Sequence, residues 1–251
     1  MICQLCKKER KLIRQSHIIP DFMYKGLFND KHFIAKFNLT GKCDTKLYPN
    51  GYYDSDILCE NCDNILIGRL ESYAKIVLFG GKRKRSNFHE IEQEVDIWSN
   101  KMLHVRNVDY KRFKLFLLSV LWKASISKQD IFKHVELGCH EEIIRKMILD
   151  SNPGNENEYP IGIFLLTPND ICPTNFITSP FPVGDFDNLS YIFTINGMLI
   201  NFKIFGEGYM DIYNRLMIRE NNTMEVLVLN KEFTVDFLDK IMKGKFRYFD
   251  K

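Results

Sequence analysis

In two long stretches of the first 150 residues, hydrophobic residues recur every three to four positions, the spacing that places them on one face of a helix. The clearest stretch runs from Cys59 to about Leu78 and ends at Gly80-Gly81, because adjacent glycines disfavour a helix. A second stretch, rich in Phe, Leu and Trp, covers about 109–127. The pattern therefore predicts these two helices, shorter helices at 21–28, 129–137 and 140–150, strands at 32–39 and 102–106, and a loop at 40–55.

A segment rich in Asn, Pro and Gly at 152–157 separates this helical part from a region where the hydrophobic period falls to two. The change predicts strands at 161–166 and 224–229 and a hairpin of strands 191–195 and 198–205, because Asn196-Gly197 is a strong two-residue turn signal. A closing helix is predicted at 231–243. The fold class is therefore α+β, in two domains at residues 1–82 and 83–251.

Charge is distributed unevenly along the chain. The 251 residues carry a net charge of only +3, but residues 1–48 hold ten Lys and Arg against four Asp and Glu, which gives +6 there. A basic run, Lys82-Arg83-Lys84-Arg85, follows the first long helix. Basic surface of this kind favours a polyanionic partner. The run is a candidate phosphate-binding segment, and a solvated loop explains it equally well.

Two Cys-x-x-Cys pairs, Cys3/Cys6 and Cys59/Cys62, provide four thiolates at the spacing of two zinc knuckles. Cys43 is an alternative ligand for one of the four positions. The chain has seven cysteines, an odd number, and Met1-Ile2-Cys3-Gln4 has no apolar signal region. These features favour zinc over disulfides and a cytoplasmic location. The longest apolar run, residues 113–122, is too short to span a bilayer, so we expect no membrane association.

A histidine lies between the two pairs, in Ser16-His17-Ile18-Ile19-Pro20, and Pro20 ends the strand predicted to hold it. Together with the later segment Asp56-Ile57-Leu58-Cys59-Glu60-Asn61-Cys62-Asp63-Asn64, this stretch resembles the HNH (His-Me finger, ββα-metal) endonucleases. In that family a metal ligand precedes a general-base His, and a Cys-containing segment begins the following helix. The resemblance covers roughly residues 1–75 and implies a zinc-stapled ββα module.

The resemblance implies a metal-dependent endonuclease that hydrolyses phosphodiester bonds, with DNA favoured over RNA. By that resemblance His17 is the general base, a histidine suiting the role near neutral pH, and Mg²⁺ or Mn²⁺ is the catalytic ion. Zinc is structural, because four thiolates leave no open coordination position. Family members of this type often serve in restriction or anti-phage defence. Residues 83–251 are expected to bind a substrate, a signal, a protein partner or a second copy of the chain.

The sequence departs from the family pattern at the catalytic metal. Ser16 stands where the family usually has Asp, Glu or His, and the helix turn after Cys62 offers no His. Asp56, Asp63 and Glu71 are the candidate carboxylates, Asp63 and Glu71 being favoured because they lie about two turns apart on one helix face. These departures support an alternative, a catalytically degenerate zinc module that acts as an adaptor for nucleic acid or protein. A cysteine redox protein that uses Cys3-x-x-Cys6 is a third, weaker alternative.

Overall fold

The computed structural model describes residues 1–25, 27, 33–37, 43–47, 51–80, 91–95, 101–167, 174, 176–185, 187–206 and 215–242. Its strands are β1 (Ser16–His17), β2 (Phe33–Phe37), β3 (Cys43–Leu47), β4 (Tyr53–Asp54), β5 (Ile91–Val95), β6 (Lys101–Val105), β7 (Ile161–Leu166), β8 (Phe181–Asp185), β9 (Asn188–Ile195), β10 (Met198–Phe205) and β11 (Met224–Leu229). The α-helices are α1 (Gly68–Phe79), α2 (Tyr110–Ser125), α3 (Cys139–Leu149) and α4 (Lys231–Met242). A π-helical segment (Asn61–Ile67) leads into α1, and 3-10 turns lie at Asp21–Tyr24 and Asp130–Phe132.

A seven-stranded sheet in the order β5-β6-β11-β7-β10-β9-β8 forms the larger layer. Neighbouring strands are antiparallel except β11 and β7, which are parallel. The hairpin of β9 and β10 turns at Asn196 and Gly197, whose φ angles of 51° and 76° are those a two-residue turn with two positive φ values needs. The sequence prediction of this hairpin is confirmed.

Helix α2 is the centre of the main hydrophobic core. It is buried from Phe113 through Ala124, including two lysines, as expected of a helix whose hydrophobic residues surround its axis. Its N-terminus is capped by Asp109, whose side chain accepts a hydrogen bond from the Arg112 backbone N–H at 2.9 Å. Helices α1 and α3 both pack against α2. Helix α2 therefore shares one core with residues of the N-terminal part and of the sheet.

The N-terminal part combines two short strands and a helix. Strand β1 pairs antiparallel with β4, with Ser16 opposite Asp54 and His17 opposite Tyr53. The pairing continues through the Ile18 N–H, which donates to the Tyr52 carbonyl at 2.9 Å. The π-helical segment and α1 follow β4 directly along the chain. The arrangement of strand, strand and helix is therefore present, with the β2–β3 hairpin inserted between the two strands.

The mixed α+β class is confirmed, and so are most of the predicted long elements. The predicted helix at 59–78 begins as a π-helix and continues as α1. The predicted helix at 129–137 is wrong, because only the 3-10 turn Asp130–Phe132 forms there. The described residues of the predicted helix at 21–28 likewise form a 3-10 turn, Asp21–Tyr24, and no α-helix. The predicted loop at 40–55 is wrong where β3 and β4 form.

Strands β5 and β8 were absent from the sequence prediction. Strand β8 contains Pro182 and Gly184, both unfavourable in a central strand, and it forms at the edge of the sheet, where Pro is tolerated. The domain boundary at residue 82 remains a prediction. The main core runs without interruption from Cys3 to Val226. Within the described ranges no helix is both long and apolar enough to cross a membrane.

Candidate metal and catalytic site

The four predicted zinc ligands come together although 52 residues separate Cys6 from Cys59 in sequence. The sulfur atoms of Cys3, Cys6, Cys59 and Cys62 all lie within 4.8 Å of one another. Local backbone bonds shape both knuckles: the Lys7 N–H donates to the Cys3 carbonyl, and the Cys62 N–H to the Cys59 carbonyl. A bridge between Ile2 and Glu9 closes the first knuckle. A bridge between Leu12 and Cys59 and a hydrogen bond from the Gln4 N–H to the Ile57 carbonyl join it to the second.

The donor set fits structural zinc. A tetrahedral ion with Zn–S bonds near 2.3 Å requires sulfurs about 3.8 Å apart, which the observed cluster can reach by small side-chain rotations. Burial opposes the Cys3 thiolate, but backbone N–H groups of Cys6, Cys59 and Leu5 outweigh it and lower the pKa of Cys3 to about 7. Burial raises the pKa of Cys59 and Cys62. A bound cation would offset that cost, because the thiolate is the ligand form.

The neighbouring helix α3 supports the first knuckle. The Arg145 guanidinium, which is almost fully buried, donates a hydrogen bond to the Leu5 carbonyl inside the Cys3–Cys6 turn. The Arg145 Nε–H donates to Glu142 Oε2 at 2.6 Å. The four-cysteine segment is therefore attached to the helical layer by a buried cation as well as by apolar packing.

His17 lies on β1 at the surface of the module. Its ring meets the Tyr53 ring edge-on, with centroids 6.2 Å apart, and it is partly exposed. The residues on both sides are buried: Ser16 and Ile18 have no exposed surface. The alternation follows from the strand geometry, which sends successive side chains to opposite faces.

Asp63 reaches β1 from the start of the helix. The Ser16 hydroxyl donates a 2.6 Å hydrogen bond to Asp63 Oδ1 across 47 residues of sequence. Burial raises the pKa of Asp63, and the nearby charges of Lys123 and His17 act in the opposite direction. Asp63 follows Cys62 directly, so the second cysteine knuckle fixes where its backbone lies. The strand residue Ser16 and the helix residue Asp63 therefore form one polar pair, and His17 lies within electrostatic range of Asp63.

A buried lysine completes the polar cluster. Lys123 comes from α2, has no exposed surface and donates to Glu71 Oε1 at 3.0 Å. Glu71 lies eight residues after Asp63, and the wider π-helical turns between them bring both carboxylates into the electrostatic range of the same ammonium group. Asp63 thus lies within electrostatic range of Lys123, Glu71 and His17. The Ser16 side chain bonds Asp63 from one face of β1, and the His17 side chain leaves the strand on the opposite face. We call Ser16, His17, Asp63, Glu71 and Lys123 the polar cluster.

Asp54 at the end of β4 and Asp56 in the turn after it have hydrogen-bond partners outside the polar cluster. Asp54 is buried and accepts hydrogen bonds from the Ser127 hydroxyl (2.7 Å), the Lys128 N–H (3.0 Å) and the Gln129 side-chain amide (3.0 Å), so it fixes the chain that leaves α2. Asp56, the third predicted carboxylate, is exposed in a turn with a positive φ of 60°. Its backbone N–H donates to the Ile13 carbonyl at 3.1 Å, and among the hydrogen bonds of the described residues none joins it to the polar cluster.

The structure describes only some of the other cysteines and basic residues that could bind a metal or a phosphate. The basic run Lys82–Arg85 and Cys172 lie outside the described residues, and only the backbone of Cys43 is described. Cys139 is exposed at the start of α3, where His140 bonds the Tyr159 hydroxyl at 2.9 Å. Across the part of the chain that the structure describes, the four-cysteine set is the only group of three or more metal-binding side chains.

Lys123 is the residue of the polar cluster that the sequence analysis missed. The only signal for Lys123 was a lysine within an apolar helical stretch, and nothing there indicates that it faces Glu71. Comparison of the chain with family models, with curated proteins and with solved structures finds no match. The site must therefore be interpreted from its own geometry.

Proposed function

We propose that residues 1–82 act as a metal-dependent endonuclease of the HNH type, with DNA as the favoured substrate. The observation that carries the proposal is the position of His17: it lies partly exposed on a strand paired to β4, within electrostatic range of a carboxylate, Asp63, at the start of the following helix. A four-cysteine cluster fixes that helix start. An imidazole held in this way can take a proton from a water that attacks a phosphodiester.

The other residues of the polar cluster have supporting roles in this proposal. Ser16 orients the Asp63 carboxylate, and Lys123 neutralises Glu71, so that Asp63 is the acidic group left for a cation. Mg²⁺ or Mn²⁺, held by Asp63 and by substrate phosphate oxygens, would supply charge neutralisation for the leaving oxygen. One carboxylate suits Mg²⁺, which commonly binds proteins through one or two carboxylates and keeps several waters.

The exposed basic residues near the zinc cluster support a nucleic-acid substrate. Five cationic side chains of the first knuckle and the segment after it are exposed: Lys7, Lys8, Arg10, Lys11 and Arg14. Phosphate contacts of this kind position a nucleic acid without reading its sequence. Their effect weakens with salt, so cleavage should fall as ionic strength rises.

The experiment is a plasmid-cleavage assay with zinc-loaded protein in Mg²⁺, Mn²⁺ or Ni²⁺. His17→Ala should abolish cleavage and leave zinc content and melting temperature unchanged. His134→Ala removes an exposed histidine far along the chain and serves as the matched control. Asp63→Asn keeps an acceptor for Ser16 but lowers cleavage at least a hundredfold. Full activity of His17→Ala removes this histidine from the mechanism.

The hydrogen bonds that Asp63 and Glu71 already accept favour a second function. Ser16 already bonds Asp63 and Lys123 already bonds Glu71, and no second metal-binding set accompanies the four cysteines in the described segments. An adaptor that binds nucleic acid or protein without cutting it would have these features. It would hold one zinc per chain, bind no Mn²⁺ in a titration followed by electron paramagnetic resonance, and cleave nothing under any of the three ions.

A further inference from the structure

A buried arginine of helix α3 reaches the backbone of the four-cysteine cluster. Arg145 is only 7 % exposed, and its Nη1–H donates to the Leu5 carbonyl across 140 residues of sequence. Leu5 has no exposed surface, so water cannot take the place of this donor. The contact lies between the two cysteines of the first knuckle, and it brings a positive charge within electrostatic range of the Cys6 thiolate.

The hydrogen bond from Arg145 acts on a peptide group that also faces a ligand sulfur. The Leu5 carbonyl and the Cys6 N–H belong to the same trans peptide bond, so they point in opposite directions. The Cys6 N–H donates to the Cys3 sulfur, as does the Cys59 N–H at 3.3 Å. A cation at the carbonyl end polarises the peptide group and strengthens the hydrogen bond at the N–H end, because hydrogen bonds in series reinforce one another in a low-dielectric interior. Arg145 therefore acts on the Cys3 thiolate through one intervening peptide group.

The charge of the zinc-loaded cluster gives the arginine a second effect. Four thiolates carry twice the charge of one Zn²⁺, so the loaded cluster is an anion, and Cys3, Cys59 and Cys62 are buried. Burying an anion is unfavourable unless a cation or hydrogen-bond donors lie close to it. Arg145 supplies a charge and a donor together, from an element that is distant in sequence. It therefore favours the zinc-loaded state over the metal-free state.

The guanidinium is held in place from its own helix. The Arg145 Nε–H and Nη2–H donate to the two carboxylate oxygens of Glu142 at 2.6 and 2.7 Å, which fixes the plane of the guanidinium. The Glu142 side chain is 52 % exposed, so solvent screens its negative charge. The hydrogen bond to Leu5 is buried. The positive charge is therefore most effective on the side of the cysteine knuckle.

We propose that Arg145 is a positioning residue of the zinc centre: it orients the Leu5–Cys6 peptide group toward the Cys3 sulfur, offsets the negative charge of the cluster and thereby raises the affinity for zinc. Partners that hydrogen-bond around metal ligands typically change metal affinity by about ten- to a hundredfold. By linkage, zinc stabilises the docking of α3 by the same factor by which that docking raises the zinc affinity. The proposal does not depend on the function of the polar cluster, which shares no residue with the zinc centre.

A competition assay between the full chain and a chromophoric zinc chelator of known affinity measures the zinc dissociation constant. Arg145→Gln removes the charge and should raise this constant by about ten- to a hundredfold. Arg145→Lys keeps the charge but loses the planar fork, so it should raise the constant by about three- to tenfold. Arg112→Gln breaks an exposed i,i+3 pair with Asp109 and serves as the matched control, for which the change should be less than about twofold.

Cobalt substitution separates this role from a general loosening of α3. Without the arginine the Cys6 N–H bond to Cys3 is weaker, so the thiolate-to-Co²⁺ charge-transfer band should shift to longer wavelength in Arg145→Gln. Ile144→Val shortens a fully buried side chain of the same helix without changing any charge. It should lower the melting temperature but leave the cobalt band and the zinc dissociation constant unchanged.

The outcomes distinguish the proposal from the zinc assignment itself. A zinc dissociation constant of Arg145→Gln equal to that of the unaltered chain, or an equally large rise in Ile144→Val, overturns the proposal alone. Failure of the unaltered chain to bind zinc overturns both. Cooperative thermal unfolding confirms that each zinc-loaded variant is folded. If Arg145→Gln does not fold, Arg145→Lys takes its place, and an unchanged dissociation constant in that variant likewise overturns the proposal.

Discussion

The pair of Lys123 and Glu71 should contribute a coupling energy that an exposed ion pair does not. The two charged atoms are 3.0 Å apart, so at an effective dielectric constant near 20 the Coulomb energy is about 5.5 kcal/mol. Lys123 is 1 % exposed and Glu71 26 %. Solvent at the glutamate and the desolvation of both groups reduce the net coupling to about 2–3 kcal/mol.

A double-mutant cycle measures this coupling. Lys123→Met, Glu71→Gln and the double variant are unfolded with urea at pH 7 in the zinc-loaded state. Each single change should cost about 3 kcal/mol, because it leaves one buried charge without its partner. The double variant should cost about 2–3 kcal/mol less than the sum of the two.

The exposed pair Lys240 and Asp236 on α4 provides a matched control. Its atoms are even closer, 2.6 Å, but the side chains are 50 % and 58 % exposed. The cycle of Lys240→Met and Asp236→Asn should therefore give at most about 0.5 kcal/mol. If the Lys123–Glu71 coupling is no larger than that of this control, the buried convergence of α1 and α2 described above is wrong.

Three further predictions concern the metal, the pH dependence and one glycine. Cys62→Ser should lose the zinc. Because the zinc closes a loop of about 60 residues, its loss should destabilise the chain by roughly 4 kcal/mol. Mass-spectrometric zinc analysis and urea unfolding check this, and a retained zinc contradicts it. Burial lowers the pKa of Lys114 from 10.5 to about 8, so the folded state binds fewer protons than the unfolded state between pH 8 and 10. Its contribution to the free energy of unfolding should therefore rise with pH there, by at most about 1.4 kcal/mol per unit, and vanish in Lys114→Met; an identical pH slope in both proteins refutes it. Gly51→Ala should destabilise the folded protein by about 1–3 kcal/mol in thermal unfolding, because the Gly51 φ is +68° and the new Cβ would lie 2.5 Å from the buried Tyr24 ring. An unchanged melting temperature counts against that packing.

The site divides into residues that the sequence could identify and residues that it could not. Cys3, Cys6, Cys59 and Cys62 were identified because metal-binding cysteines occur at short, fixed spacings that are visible in one dimension. His17 was identified because it lies between them. The contact between Ser16 and Asp63 spans 47 residues, and the contact between Glu71 and Lys123 spans 52, so no local pattern contains either.

The sequence by itself determined the elements whose stability is local. The α2 helix, the Asn196-Gly197 hairpin and the alternating strands β7 and β11 follow from side-chain periodicity and turn residues that act over a few positions. The tertiary structure alone decided the strands that exist only through pairing, such as β4 with β1, and the burial of Lys123 against Glu71. Those features depend on contacts between distant segments, whose free energy arises only once the whole chain has folded.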